Sequence, residues 1–329
     1  MTLPTHTPTL DQVFTRHSYN VIGSREYKDQ KYKRRPMLML LRERRKKGDG
    51  GPNIAHRVNL GTTFNGRSLS RNERFSIEGD SNETWSRYTW SVVIETCFVS
   101  WWDIREADGG MQKVLGILES RINETRENIE DNISTQLAQS TAADADDINP
   151  ILSIVATSGA SGGLNPSTDG QEVWASENED TISWIVEGVS RTRKLNTKIT
   201  DNKGNPDVIL VPDQTWLDTC DIGDAAMVIN QNAATRGGTK YADLGLQVPF
   251  ILGIPVIHDP AWNTAQSATG VMLDLDGIHL VVDPRWDMYM WEFKDMAHNG
   301  ILGKASLQVE VAQLTCSSRR TQGLLSTLS

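Results

Sequence analysis

The stretch WSRYTWSVVIETCFVSWWDI, residues 85–104, decides how the chain is read. Trp85, Tyr88, Trp90, Val92, Ile94, Thr96 and Phe98 lean toward a period of two, and aromatic and β-branched residues favour pleated, half-buried strands. Upstream, Asn65-Gly66 is a hairpin-turn signal, because both residues tolerate positive φ. Around it NGRSLSRNER (65–74) is polar and places Arg67, Arg71 and Arg74 at a tip. Residues 48–103 therefore predict a long, twisted β-hairpin. A two-stranded ribbon is marginal alone in water, so it needs another surface to lie on. Downstream, Asp108 can cap a helix over residues 109–140. Leu115, Leu118, Ile122, Ile129, Ile133 and Leu137 recur there at three-, four- and seven-residue steps. Such a helix is ~48 Å long at 1.5 Å per residue, long enough to cross the molecule as a spine.

Ahead of the hairpin, charge is the main signal. Residues 1–47 hold twelve Lys/Arg against Asp11, Glu26, Asp29 and Glu43, a surplus of eight positive charges. The remainder carries 21 basic and 38 acidic residues, and the whole chain has a net charge of −9. Pro4, Pro8 and Gly23 punctuate residues 1–35, so an extended arm is expected. Its basic cluster includes Lys33, Arg34, Arg35, Arg44 and Arg45. A basic arm on an acidic body suits either DNA or an acidic neighbour. The apolar strip Met37-Leu38-Met39-Leu40-Leu41 between the basic clusters favours docking on protein.

Behind the spine helix, ILSIVAT (151–157) predicts a strand and residues 179–195 an amphipathic helix with Ile182, Ile185, Val186 and Val189 on one face. DVILV (207–211) reads as a buried strand leading to a short helix in QTWLDTC, and PFILGIPVIH as two apolar segments. The last third alternates as strands do: residues 271–275, 279–282, 288–293 and 307–314. Runs of each type within one chain indicate an α+β fold. At 329 residues the chain exceeds the size at which one core stops growing, about 250–300 residues, so two lobes are expected. Cys97, Cys220 and Cys316 are too few and too scattered for a disulfide framework. The N-terminus lacks the pattern of a secretory signal, and no apolar run is long enough for a membrane span.

Chemistry-bearing motifs are weak. Gly159-Ala160-Ser161-Gly162-Gly163 matches the G-x-S-x-G elbow, which requires a strand before Ser161 and a helix immediately after it. A loop follows instead, and His258, Asp213 and Asp243 could complete a triad only by elimination. A serine hydrolase using Ser161 is thus the alternative from the enzyme class. Gly300-Ile301-Leu302-Gly303-Lys304-Ala305 fails as a phosphate loop in spacing and in its final residue. The histidines do not fall at metal-ligand spacing, and Asp144, Asp146 and Asp147 lack the glycine and distal Glu of a calcium loop. No catalytic residue, cofactor or metal is expected.

The order of elements resembles the major capsid protein of tailed bacteriophages, with its Hong Kong 97-type fold. The stretch at 85–104 leading into a long helix, NPDVILVPDQTWLDT, FILGIPVIHDP and the ending LTCSSRRTQGLLSTLS carry that resemblance, in that order. It implies an extended N-terminal arm (1–47), a long β-hairpin or E-loop (48–103), a peripheral domain with the spine helix (104–141 and 271–329) and an α/β axial domain (142–270). It further implies a protein of the virion, assembled in the host cytoplasm. Copies would form pentamers and hexamers of an icosahedral shell around double-stranded DNA, with portal, scaffolding and decoration proteins as partners. Arg67, Arg71, Arg74, Lys33, Arg34, Arg35, Arg44 and Arg45 would then contact neighbouring subunits. An encapsulin-type nanocompartment is the alternative within the same fold.

Some members of that family lock the shell through an isopeptide bond from a hairpin lysine. Between Lys47 and Lys113 this chain has no lysine, and a guanidinium, protonated at any workable pH, cannot replace the amine. Assembled particles boiled in detergent should therefore run as one band near 36.6 kDa. A ladder of covalent multimers that survives reductant would refute this.

Overall fold

The computed structural model describes residues 34–61, 83–106, 111–180, 183–226, 249–297, 300–326 and 328. Their helices are α1 (Pro36–Glu43), α2 (Trp101–Glu106), α3 (Met111–Ala138), α4 (Ile151–Ile154), α5 (Trp184–Asp201), α6 (Asp213–Ala226) and α7 (Pro260–Ala265). The strands begin with β1 (Lys46–Lys47), β2 (Asn53–Asn59), β3 (Glu83–Thr89), β4 (Ser91–Ser100), β5 (Glu177–Glu179), β6 (Val208–Val211) and β7 (Phe250–Ile251). They continue with β8 (Ile254–His258), β9 (Thr269–Leu273), β10 (Ile278–Val282), β11 (Tyr289–Met290), β12 (Lys294–Asp295), β13 (Gly303–Cys316) and β14 (Gly323–Ser326).

Two mixed sheets result, and the fold is α+β as expected. In the first, β13 pairs antiparallel with β4 along one edge and with β10, β11 and β12 along the other, while β1 runs parallel to β10. In the second the order is β5-β14-β9-β6-β8-β7. Its tightest turn joins β7 to β8 through Leu252 (φ 56°) and Gly253 (φ 77°), the paired positive φ that a two-residue hairpin demands. The ribbon β2–β3 pairs Asn53 with Thr89 through to Asn59 with Glu83. It is shorter than the hairpin read from sequence: after Thr89 the chain leaves it, and residues 91–100 join the first sheet. Arg67, Arg71 and Arg74 lie outside the described residues, as does Lys33.

The expected two lobes share a core. Val208, Leu210, Val271 and Leu273 of the second sheet occupy the same apolar cluster as Leu280, Val282, Ala312 and Leu314 of the first. Residues from Arg34 onward form one compact unit. The C-terminal strand β14 crosses back to the second sheet, where Leu325 is fully buried. Helix α3 delivers Ile129, Ile133 and Leu137 to the shared core at helical spacing.

The apolar strip 37–41 becomes helix α1, started by Pro36, and Met37, Leu38, Leu40 and Leu41 are buried against α3 within their own chain. One buried carboxylate, Asp259, accepts the Met37 N–H at 3.2 Å and the Ala261 N–H at 2.9 Å. It thus serves the N-terminal ends of both α1 and α7, where an anion is favoured. The predicted strand at 151–157 is instead the single turn α4. Pro150 starts it, and Ile151 and Ile154, three apart, both face the core. The amphipathic helix begins later than expected and turns a different face inward. Trp184, Gly188, Thr192, Leu195 and Ile199 are buried, whereas Ile185 and Val186 are exposed. A Cβ on Gly188 would lie 2.7 Å from the Trp184 indole, so glycine there is what lets that ring fold back on the helix.

Past β13, Arg319 is wholly buried. Its guanidinium donates to the carbonyls of Ile154 (2.7 Å), Gly159 (2.9 Å), Ser158 (3.1 Å), Trp174 (3.3 Å) and Ser153 (3.5 Å). The planar fork of donors suits this cage of backbone oxygens. A second polar cluster ties three elements together. Lys46 of β1 donates from Nζ to His279 Nε2 of β10 at 2.7 Å, and the His279 ring lies 6.3 Å from that of His56 on β2. Burial, then the Lys46 charge and then His56, outweigh the opposing pull of Asp276 and hold the His279 pKa down at about 4. Burial and Lys46 lower that of His56 as well.

Two outcomes follow from these clusters. Arg319→Met strands several carbonyls and should lower stability by roughly 3–5 kcal/mol in urea unfolding, and Arg319→Lys, with three donors, should recover only part of it. His279 titrates near 6.5 when unfolded but near 4 when folded. The unfolded chain therefore binds more protons between those values. Stability is fully present above about pH 6.5 and falls as the pH drops toward 4, by on the order of 1–3 kcal/mol. His279→Gln should flatten that slope, leaving the smaller part due to His56.

Candidate assembly surface

One face of the first sheet leaves a row of apolar side chains open. In an antiparallel pair, directly opposed residues share a face. Val92 opposes Val311, Ile94 opposes Val309, Thr96 opposes Leu307 and Phe98 opposes Ala305, and Tyr289 of β11 sits across from Val309 on its other side. The β4 side of this face is open, with Val92 52% and Ile94 51% exposed and Phe98 and Tyr289 also exposed, while Val309 between them is buried. Trp286 meets Tyr289 edge-on at 5.3 Å and lies 6.3 Å from Trp291, extending the apolar surface. At the end of the strands Trp101, Trp102, Ile301 and Leu302 are exposed too. The opposite face, covered by α3, is mixed: Val93 and Val99 are buried there beside Glu95, Cys97, Ser306, Gln308 and Glu310. There Asn128 of α3 donates to Glu95 at 3.3 Å.

The polar residues under α3 are held by the basic segment. Arg42 donates to Glu310 Oε2 at 2.7 Å and to Glu130 Oε1 at 2.6 Å, while Arg35 reaches Glu130 at 3.1 Å and Glu127 at 2.8 Å. Burial pushes the Glu310 pKa up, and the adjacent Arg42 pulls it back down. Arg44 clasps Asp207 with both terminal nitrogens, at 2.8 and 3.1 Å, and Arg45 pairs with Asp287 at 2.8 Å. Of the residues predicted to contact neighbours, Arg35, Arg44 and Arg45 thus find carboxylates on their own chain. The strip they flank is buried there, which brings the acids of α3 and the second sheet within reach. Arg34 is exposed. Glu310 was not singled out from the sequence, although a lone acid in LQVEVAQL signals either an open face or a buried partner. Arg319 stood in a quoted motif without a role.

Ser161 occupies a turn rather than an elbow. It exchanges backbone hydrogen bonds with Leu164 across Gly162 and Gly163, both at positive φ. Turns, not a helix, follow it, and its Oγ lies 3.3 Å from the Tyr88 hydroxyl. Gly162 accepts the Arg87 N–H at 2.8 Å, and a Cβ on it would meet Ser86 and Tyr88 at 2.9 Å. The motif's glycines let this loop lie against the ribbon β2–β3. The His258 ring packs tilted against Trp216, with ring centroids 4.6 Å apart and the planes at 51°. Burial raises the Cys97 thiol pKa and takes that of Cys316 to about 12, so both stay protonated. Among the described residues no three His, Cys, Asp or Glu side chains gather to hold a metal ion, and no helix is long and apolar enough to cross a membrane.

No protein-family model matches the chain, and no curated protein matches it. Solved structures do. The capsid asymmetric unit of cyanophage A-1(L) aligns with a TM-score of 0.64 at 16% identity, over 93% of this chain and 96% of its own. Mycobacterium phage Bobi gives 0.56 at 12% identity, over 97% and 98%. The SrpI encapsulin of Synechococcus elongatus PCC 7942 gives 0.53 at 11% identity, over 96% and 95%. Over more than nine-tenths of its length the chain has the fold of the tailed-phage major capsid protein.

Proposed function

We propose that this chain is a major capsid protein, copies of which assemble into the pentamers and hexamers of an icosahedral shell enclosing double-stranded DNA. The observation that carries this reading is the fold it shares, over 93% of its length, with the capsid of cyanophage A-1(L). The sheet described above supports it independently. An exposed apolar face of this extent is what a subunit has when a neighbour completes its burial. In this reading α3 is the spine helix of a peripheral domain (104–141 and 271–329), residues 142–270 form the axial domain, and residues 48–103 form the E-loop. The tip arginines Arg67, Arg71 and Arg74, with Lys33 and Arg34 of the arm, face neighbouring subunits. Portal, scaffolding and decoration proteins are the further partners, and the virion is where the protein works. Ser161, turned into a loop beside Tyr88, has a structural part in this reading and no catalytic one.

The SrpI match favours a second reading, an encapsulin-type compartment. Expression followed by electron microscopy tests both: closed shells are expected. Shells recovered from infected or induced cells with packaged double-stranded DNA support the phage reading, and shells holding protein cargo support the other. A chain that stays monomeric refutes both. Burying Ile94 and Phe98 is worth roughly 1.5–3 kcal/mol each, repeated at every contact in a shell. Ile94→Asp and Phe98→Asp should therefore abolish shells while leaving the unfolding midpoint of the isolated chain nearly unchanged.

A further inference from the structure

Helices α5 and α6 pack on one another, with Trp184 Nε1 donating to Thr219 Oγ1 at 2.8 Å, yet their outward faces have opposite character. On α5, Val186, Ser190, Arg193 and Thr197 follow one another at four-, three- and four-residue steps, all exposed, with Ile185 and Lys194 beside them. Val186 is 80% exposed. The helix's other cations are engaged: Arg191 with Glu179 and Glu187, Lys198 with Glu179. Arg193 and Lys194 form no ion pair among the described residues. On α6, Gln214, Leu217 and Asp221 are exposed on one face with Asp218 alongside. This helix contains four aspartates and neither lysine nor arginine.

Two strips of complementary make-up therefore lie on one chain: an apolar pair beside two cations without an ion pair among the described residues, and an exposed leucine beside two aspartates. We infer that the α5 strip of one copy docks on the α6 strip of the next. Val186 and Ile185 would meet Leu217, and Arg193 and Lys194 would face Asp218 and Asp221. The partner is a second copy because each copy supplies both halves, and because copies carrying −9 each repel on average unless opposite charges are set face to face. A patch that meets a different patch is a heterologous contact, which closes into rings when the rotation per copy divides a full turn. The inference rests on the shell reading and specifies one contact within it.

Charge reversal tests it on the full-length chain. Arg193→Glu with Lys194→Glu, and separately Asp218→Lys with Asp221→Lys, should each cut the yield of capsomers and shells at least tenfold at about 0.1 M salt. Thermal unfolding of the isolated chains should be nearly unchanged, since Arg193, Lys194 and Asp221 are exposed and Asp218, half-buried, is bonded only to Gln214 on its own helix. The fourfold variant, with both strips reversed, should restore assembly. Val186→Asp should weaken assembly without affecting the fold. If wild-type protein assembles and both double variants assemble equally well, the contact is wrong and the shell reading stands. If the fourfold variant fails to recover, the two strips do not face one another. If the wild type itself never assembles, both readings fall together.

Discussion

A fourteen-residue strand buried in a sheet must have its backbone donors and acceptors satisfied along both edges, and β13 imposes that demand on the rest of the chain. One edge is met by β4 over ten consecutive residues, from a segment some two hundred positions earlier. The other is met piecewise by β10, β11 and β12. The strand also carries Glu310, an acid with almost no access to water. A carboxylate in that position is costly unless it is paired. Arg42 is its partner, and Arg42 can reach it only because α1 is packed into the core. The basic segment is therefore drawn into the body of its own subunit by the strand at the other end of the sequence.

Much of this was legible in the residues themselves. The alternation in 91–100 and 307–314 marked the strands that pair, and the four- and seven-residue spacing of Ile122, Ile129, Ile133 and Leu137 marked α3 within two residues of its ends. What could not be read was which partner each face would meet. Met37 to Leu41 looked like a strip for another molecule because its flanks are basic, but the acids that neutralise those flanks lie at 127, 130, 207 and 310, and spacing says nothing of such distant encounters. Residues 151–157 have strand-forming composition, yet Pro150 and the three-residue step between Ile151 and Ile154 prevailed locally. In α5 the apolar residues Ile185 and Val186 suggested the buried face. A glycine one turn after Trp184 moved that face round, because it gives the indole room against the helix.

The same limits apply to function. Small motifs pointed toward chemistry that the geometry does not assemble: Gly162 accommodates Tyr88 and Ser86 at close quarters, which explains the glycines around Ser161 without a nucleophile. The informative signal was the distribution of polarity over whole faces. A sheet that turns a row of valine, isoleucine and phenylalanine toward water on one face is an incomplete structure by the ordinary rules of burial. That incompleteness agrees with the fold relationship to shell-forming proteins, and neither depends on a catalytic group.

The Arg319 cage has a consequence for biosynthesis. Its acceptors at residues 153–174 precede it by 145 to 166 positions, so during translation those carbonyls are made long before their donor. Loop closure over such distances is slow compared with local helix formation. Until residue 319 exists, the turn holding Ser161 and Trp174 has no guanidinium to gather round. In the same way β4 has no strand to pair with along its edge. A nascent or truncated chain consequently lacks the ordered sheet. The fold thus makes completion of the polypeptide a precondition for its own first sheet, a form of quality control that needs no separate inspector.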